Sequence, residues 1–518
     1  MALARIIWVD DEIESLRSQQ LFLENKGYAV QTFNNGFEAI DYVRENPVDV
    51  VLIDESMPGI TGLETLAKIK EINRSIPVVL ITKNETENLM DDAIGSQISD
   101  YLIKPVNPNQ VLLSLKKIID NKRLVAEKTT SAYQQQFRHL FTALNSDPDH
   151  KEWRDIYKKL VYWELEMQRT DSPEMEEVLQ SQKTEANTEF FKFISRHYAS
   201  WIQVASDTTP TMSHTLLKRK VFPLLKKGTP VFFVLIDNLR FDQWKAIEPI
   251  LSASFRLTEE DSFYSILPTA TQYARNSLFA GLLPAEIEKK FPAFWKNDEE
   301  EGGKNLHEEE LLRAQLRDAG LGDIRFSYTK VLNNQSGQEL QQQIHNLMGN
   351  DLNVIVYNFV DILSHARTEM EVLKELAGDE KSYRSVTRSW FEHSPLHQAL
   401  RRVADKPLTL VLATDHGSVR VKTPARVIGD KQTTTNLRYK HGRNLQYEPR
   451  DVLAFRDPRQ AGLPSPTINS SYIFAKGDLF LCYPNNYNHY ANYYRNTFQH
   501  GGVSLEEMII PVITLQSR

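Results

Sequence analysis

Seven side chains in the C-terminal part of this 518-residue chain are of types that bind divalent cations or attack phosphorus: Asp237, Thr271, Asp361, His365, Asp415, His416 and His500. Asp361 and His365 are four residues apart, so on a helix they share one face. A carboxylate and an imidazole so spaced can grip one metal, with His500 completing a three-ligand site that leaves a position open. Asp237, Asp415 and His416 can form a second. Mixed oxygen and nitrogen ligation suits Zn²⁺, with Mn²⁺ as the alternative, and two such ions roughly 4 Å apart form a clamp for in-line displacement at phosphorus. Thr271, in LPTATQYARN, is expected at the start of a helix, where backbone N–H groups favour a phosphate. Coordination to a cation would make its hydroxyl a competent nucleophile. Thr269 is the alternative nucleophile, and either threonine could serve simply as an N-cap.

A second set lies near the N-terminus: Asp10, Asp11, Asp54, Thr82 and Lys104. Three carboxylates brought together repel unless a hard cation neutralises them, and Mg²⁺ with oxygen ligands and water fits that set. The same cation would offset charge on a phosphoryl group arriving at Asp54, with Lys104 pairing to another oxygen.

The elements that must position these groups are legible as hydrophobic runs. Ile6 to Val9, Ala29 to Phe33, Val48 to Ile53, Val78 to Ile81 and Ile98 to Ile103 alternate with amphipathic stretches, which predicts five βα units and a doubly wound parallel sheet. In such a sheet the crevice lies beyond the carboxyl ends of the strands, where the acidic residues and Lys104 fall. A second α/β pattern places Asp237 after Val231 to Ile236, Asp361 after Val354 to Val360, and Asp415-His416 after Leu408 to Thr414. Between the two, Trp153, Ile156, Tyr157, Leu160 and Trp163, then Phe190, Phe193, Ile194, His197 and Trp201, recur at helical spacing and predict a helical bundle, with breaks at Asn145 to Asp149 and Thr170 to Pro173. The expected domains are therefore 1–120, 121–215 as a helical connector, and 216–518.

The motifs VDDE, VLIDESMPGITGLE, VLITKNE and YLIKPV resemble the receiver domain of two-component response regulators, a CheY-like doubly wound (βα)5 fold. That resemblance implies Asp54 as phosphate acceptor, Mg²⁺ held by Asp10, Asp11, Asp54 and the carbonyl of Ser56, and Lys104 stabilising the phosphoryl group. It also implies Thr82 and Tyr101 as a switch pair, a sensor histidine kinase as donor, and a phosphorylation-dependent homodimer. VLIDNLRFDQW, LPTATQYAR, NFVDILSHA, LATDHGSV and QHGG resemble the PglZ branch of the alkaline phosphatase superfamily, an α/β sandwich. This resemblance implies zinc-dependent hydrolysis of phosphodiesters, including cyclic and linear oligonucleotides, with two Zn²⁺ in the effector. It makes Asn238, Arg240, Lys440, His441 and Arg443 phosphate or substrate contacts, against the simpler reading of solvated surface. Joined to a receiver, the arrangement resembles response regulators associated with type IX secretion. The competing expectation is a catalytically silent metal platform that binds a transcription factor or a secretion component.

Charge narrows these readings. Residues 1–120 hold 11 Lys and Arg against 19 Asp and Glu, whereas 401–450 hold 11 against 4, a local excess able to attract a phosphate-rich ligand. No basic recognition helix follows the first domain, which argues against direct promoter binding. One cysteine, Cys482, no export signal and no long apolar stretch point to the cytoplasm and against membrane insertion. His393, His397 and His489 are read as structural.

Overall fold

The computed structural model describes residues 4–73, 75–83, 98–170, 173–204, 208–225, 228–361, 378–430, 433–466 and 469–518. The chain separates into two compact units, Met1–Tyr133 and Gln134–Arg518.

In the first unit, β1 (Arg5–Val9), β2 (Ala29–Phe33), β3 (Val50–Asp54), β4 (Val78–Thr82) and β5 (Asp100–Ile103) form a parallel sheet in the order β2-β1-β3-β4-β5. Every residue of β3 and β4 is buried, as expected for central strands covered on both faces. The two-residue period divides the core. Ile7, Val9, Val51 and Ile53 pack with Ile40 and Leu66 on one face, and Ile6, Trp8, Val50 and Leu52 pack with Leu23, Val111 and Leu115 on the other. Helix Gly62–Ile72 starts at a capping box in which Thr61 and Glu64 satisfy each other's backbone N–H. A Cβ at Gly62 would lie 2.4 Å from the carbonyl oxygen of Asp54, so only glycine lets this helix start so close behind β3.

The second unit is built on a six-stranded sheet. Its strands are β6 (Val231–Ile236), β7 (Phe255–Tyr264), β8 (Phe326–Val331), β9 (Leu352–Tyr357), β10 (Thr409–Ala413) and, after smaller strands, the C-terminal β18 (Ile509–Ser517). The order is β7-β18-β10-β6-β9-β8. β10, β6, β9 and β8 run parallel, and β18 lies antiparallel to both its neighbours. Asp237, Asp361 and Asp415 thus follow the carboxyl ends of three adjacent strands, the position in which an α/β sheet opens a ligand crevice. The smaller strands β11 (Val419–Arg420), β12 (Thr423–Arg426), β13 (Tyr439–Gly442), β14 (Val452–Phe455), β15 (Ser471–Ala475), β16 (Leu479–Cys482) and β17 (Phe498–Gln499) make three accessory sheets, β11-β17, β12-β16 and β13-β15-β14.

The expected helical segment is present as Pro108–Leu144, His150–Thr170 and Pro173–Gln203, broken where turn chemistry places the breaks. Asp149 accepts from the backbone N–H of Lys151 and Glu152 at the second start. The last two helices pack on the effector sheet. Their aromatic stripe buries Trp153, Tyr157, Phe190 and Phe193, and a charged network joins them to it. Glu164 meets Lys183 at 2.6 Å and Arg384 at 2.7 Å, Arg384 reaches Asp242 at 2.7 Å, and Lys183 lies 3.5 Å from Glu506. Burial alone would raise the Glu164 carboxyl, but Lys183 and Arg384 hold it at about 2. Removing one member leaves buried charges without partners. Glu164→Ala is therefore expected to cost about 3–5 kcal/mol of stability, read as a lower denaturation midpoint of the full chain, with Glu164→Gln intermediate.

Candidate functional sites in the two units

In the first unit the side chains expected to gather do so at the carboxyl end of the sheet. Asp10 and Asp54 are buried, and the Lys104 ammonium lies 2.9 Å from a carboxylate oxygen of each. Asp10, Asp11 and Asp54 each offer an oxygen within 4.8 Å of the others. Burial pushes the Asp54 carboxyl up, Asp10 and Asp11 push it further, and Lys104 opposes them. A divalent cation would relieve that excess of negative charge. Thr82 is buried at the end of β4, and its carbonyl accepts from the Lys104 backbone N–H at 2.8 Å. Tyr101 is 44% exposed, and the Ser56 hydroxyl donates to Glu55.

In the second unit, Asp237, Thr271, Asp361, Asp415, His416 and His500 converge from β6, helix Thr271–Ala280, the segment after β9, the end of β10, and the loop after β17. Two trios have ligand atoms within 4.8 Å of one another, Asp237-Asp415-His416 and Asp361-His416-His500, with His416 common to both. His365 lies outside the described residues. The Thr271 hydroxyl is 3.0 Å from His416 Nε2 and 3.4 Å from Asp237 Oδ1.

The histidine geometry tests whether these residues suit a metal. Nδ1 of His416 lies 3.1 Å from the Gly417 carbonyl, and Nδ1 of His500 lies 3.1 Å from the Thr269 carbonyl. A carbonyl only accepts, so each Nδ1 carries a proton, and that bond turns each Nε2 toward the cluster. Those two Nε2 atoms face carboxylate oxygens, His416 to Asp237 at 3.6 Å and His500 to Asp361 at 3.6 Å. Two imidazole nitrogens and the carboxylates of Asp237, Asp361 and Asp415 converging in these two trios are a donor set that fits a zinc-type ion.

Thr269 is committed elsewhere. Its hydroxyl donates to the Gly502 carbonyl at 3.1 Å and accepts from the Gly501 N–H at 2.9 Å, tying the loop after His500 to the segment before Thr271. That leaves Thr271 as the threonine facing the cluster.

Several expected substrate contacts are placed away from this constellation. Asn238 joins it, with its backbone N–H 3.3 Å from Asp415 Oδ1 and its Nδ2 3.4 Å from Asp361 Oδ1. Arg240 and Lys440 each have protein partners of their own. Arg240 is buried in a fork with Asp242, 2.9 and 2.6 Å, and with Glu380 at 2.5 Å, over the rings of Tyr383 and Phe498. Lys440 donates to the Thr434 carbonyl at 3.1 Å beneath Tyr483, and burial lowers its ammonium to about 7, which weakens it as a phosphate partner. His441 is buried against Tyr472 with Nδ1 3.0 Å from Glu299, and Arg443 lies 3.4 Å from Asp430.

Sequence reasoning missed three supporting charges. Arg275 is wholly buried, contacting Oδ2 of Asp237, Oδ2 of Asp415 at 2.8 Å and Glu308 at 3.6 Å, so each of these two aspartates turns one oxygen to Arg275 and one away from it. Its position four residues after Thr271, one helical turn on, was the available signal. Arg438 and Glu507 form a second buried pair at 2.7 Å, and Glu507 also accepts from Gly502 N–H at 2.9 Å and the Ser504 hydroxyl at 2.6 Å, which holds the His500 loop. Gly417 completes the TDHG motif because a Cβ there would lie 2.0 Å from the Glu506 carbonyl oxygen.

Comparison with known proteins gives these sites a context. Residues 216–515 match the BREX system PglZ alkaline phosphatase-like domain, residues 123–202 the PorX response regulator linker domain, and residues 6–116 the response regulator receiver domain. The chain belongs to the PglZ alkaline phosphatase-like family. It carries a receiver and a linker ahead of that domain, which is the organisation of a PorX-type response regulator. Among curated relatives, the transcriptional regulatory protein ZraR of Klebsiella oxytoca is 37% identical over 132 residues, 26% of this chain and 30% of the relative. The transcriptional regulatory protein ResD of Bacillus subtilis (strain 168) is 32% identical over 115 residues, 22% of this chain and 48% of the relative. The chain thus spans less than half the length of these relatives. A solved CheY-like receiver domain protein from Methanospirillum hungatei JF-1 shares 26% identity, covering 23% of this chain and 96% of that one, with a TM-score of 0.23. Among the described residues no helix is long and apolar enough to cross a membrane.

Arg275→Met would leave Asp237 and Asp415 without their buried counter-ion. The expected cost is about 3–5 kcal/mol, measured by denaturant unfolding in the presence of chelator, with excess Zn²⁺ recovering part of the loss.

Proposed function

We propose that this chain is a phosphorylation-controlled phosphodiesterase in which Thr271 is the nucleophile. The observation that carries the proposal is the Thr271 hydroxyl, set at a helix start against His416 Nε2 and Asp237 Oδ1. Asp361, His500 and, by sequence, His365 would hold one Zn²⁺, and Asp237, Asp415, His416 and Thr271 a second, with Mn²⁺ as the alternative. When bound, these cations would supply a lowered hydroxyl pKa and positive charge opposite the phosphoryl oxygens.

The protein's own groups account for positioning. Asp237 and His416 fix the Thr271 hydroxyl, the positive end of helix Thr271–Ala280 favours the anionic phosphodiester, and Asn238 orients Asp361 and Asp415. Attack by Thr271 Oγ1 on phosphorus breaks the bond to one ester oxygen, which leaves as an alcohol. Water then breaks the threonine phosphoester and releases a phosphomonoester. The substrates inferred are linear or cyclic oligonucleotides.

The inferred control begins at Asp54, phosphorylated by a sensor histidine kinase with Mg²⁺ held by Asp10, Asp11, Asp54 and the Ser56 carbonyl. Thr82, Tyr101 and Lys104 would respond, and homodimerisation would follow. The connector helices support coupling because they touch both site loops: the Tyr198 hydroxyl accepts from Leu267 N–H at 2.7 Å, and Asn187 accepts from Leu505 N–H at 2.8 Å and donates to Glu506 at 3.1 Å. The PorX-type linker supports a cytoplasmic role in regulating type IX secretion, with a transcription factor or secretion component as downstream partner.

Thr271→Ala should lower metal-dependent cleavage of a model diester by at least about a thousandfold, roughly 4 kcal/mol of transition-state stabilisation, while metal content by mass spectrometry stays above half of wild type. Full cleavage by that variant would refute Thr271 as nucleophile. An acyl-phosphate mimic should double the mass in solution and change the cleavage rate severalfold, and Asp54→Asn should respond to neither measurement.

A further inference from the structure

Helix Tyr487–Tyr494 and the strands beneath it form an aromatic and basic surface that the catalytic constellation does not use. Residues 479–500 contain five tyrosines and five asparagines but no acidic residue, and residues 416–429 supply Arg420, Lys422 and Arg426, again with no acidic residue. The fold brings these two stretches together. β12 pairs with β16 and β11 with β17, the Tyr487 hydroxyl donates to the Pro424 carbonyl at 3.1 Å, and the Arg426 guanidinium lies 5.2 Å from the centre of the Tyr487 ring.

The rings are arranged as a ladder. His489 stacks on Tyr493 with centroids 6.2 Å apart and planes 20° from parallel, and Tyr490 stacks on Tyr494 at 6.2 Å and 15°. Tyr490 and Tyr493 keep 42% and 38% of their surface exposed, Arg426 and Arg495 are exposed on the same helix side, and Lys422 is exposed immediately before β12. Such a face combines π surfaces for bases with cations for phosphates. It also adjoins the site through the chain itself. β11 begins three residues after His416, β17 ends at the residue before His500, and Val419 pairs with Gln499.

We propose that this surface is a stacking platform for a single-stranded oligonucleotide, seating the strand on Tyr490 and Tyr493 with Lys422, Arg426 and Arg495 against its backbone. The proposal rests on the phosphodiesterase reading above and names the part of the substrate that lies away from the scissile bond. It gives two basic residues of 401–450, Lys422 and Arg426, a ligand that the residues around the metal-type cluster do not supply.

The test uses the full chain, an uncleavable fluorescein-labelled phosphorothioate hexathymidylate for anisotropy, and two cleavable substrates, the ordinary hexathymidylate and ethyl 4-nitrophenyl phosphate. The double variant Tyr490→Ala, Tyr493→Ala should raise the hexamer Kd at least about fivefold, the lower end expected for losing one stacked base. Its ratio of kcat/KM for hexamer over small diester should fall by a similar factor, and Tyr490→Phe, Tyr493→Phe should restore both values. Lys422→Gln with Arg426→Gln should flatten the salt dependence of binding by about 0.7 in log–log slope for each phosphate left without its cation. A hexamer Kd within about twofold of wild type in the double alanine variant would overturn the platform. If wild-type protein cleaves neither substrate, the phosphodiesterase reading fails, while the anisotropy measurement still decides the platform.

Discussion

Carboxylates buried within a few ångströms of one another repel, and both units of this chain are built around that repulsion. In the first, Asp10, Asp11 and Asp54 meet at the sheet's carboxyl end and Lys104 bridges two of them at 2.9 Å. In the second, Asp237 and Asp415 share Arg275 on one side and face the Thr271, His416 and Asn238 groups on the other. Each cluster keeps an excess of negative charge that the protein's own cations do not cancel, which is the electrostatic setting for a divalent ion and a phosphoryl group.

The surrounding structure is largely a device for holding those charges where water cannot screen them. Arg275 acts from the helix that Thr271 begins, so the hydroxyl facing the cluster and the buried counter-ion sit on one element. Glu507 and Arg438 fix the loop that presents His500, and Thr269 ties that loop to the segment before Thr271. Glycines occur where backbones must nearly touch, at Gly62 behind Asp54 and at Gly417 against Glu506.

A third charged assembly, of Glu164, Lys183, Arg384, Asp242, Arg240, Glu380 and Glu506, joins the connector helices to the effector. Its members sit beside both site loops. Asp242 lies in the first turn of the helix that follows Asp237 and Asn238, and Glu506 carries the carbonyl that presses on Gly417. Buried ion pairs tolerate little misalignment, so a shift of these helices would be felt at the metal-type residues. This gives the linker a physical means of influencing the site.

Much of this was legible in the chain itself. Apolar runs ending in Asp54, Asp237 and Asp415 determined strands whose carboxyl ends carry acids, because strand period and sheet topology are local and repetitive. The helical stripe through Trp153 and Phe190 determined the connector in the same way. What only the tertiary structure decided was the use of charges distant in sequence. Arg240 follows a site strand and Lys440 lies in the basic 401–450 stretch, and Asp242, Glu380 and the Thr434 carbonyl are what they touch. Arg275 and Glu507 looked ordinary and proved central. Thr269 stood as the alternative to Thr271, and its hydroxyl is taken up by the Gly501 and Gly502 backbone. A cation's role depends on which carboxylate reaches it in three dimensions, and hydrophobic periodicity carries no record of that pairing.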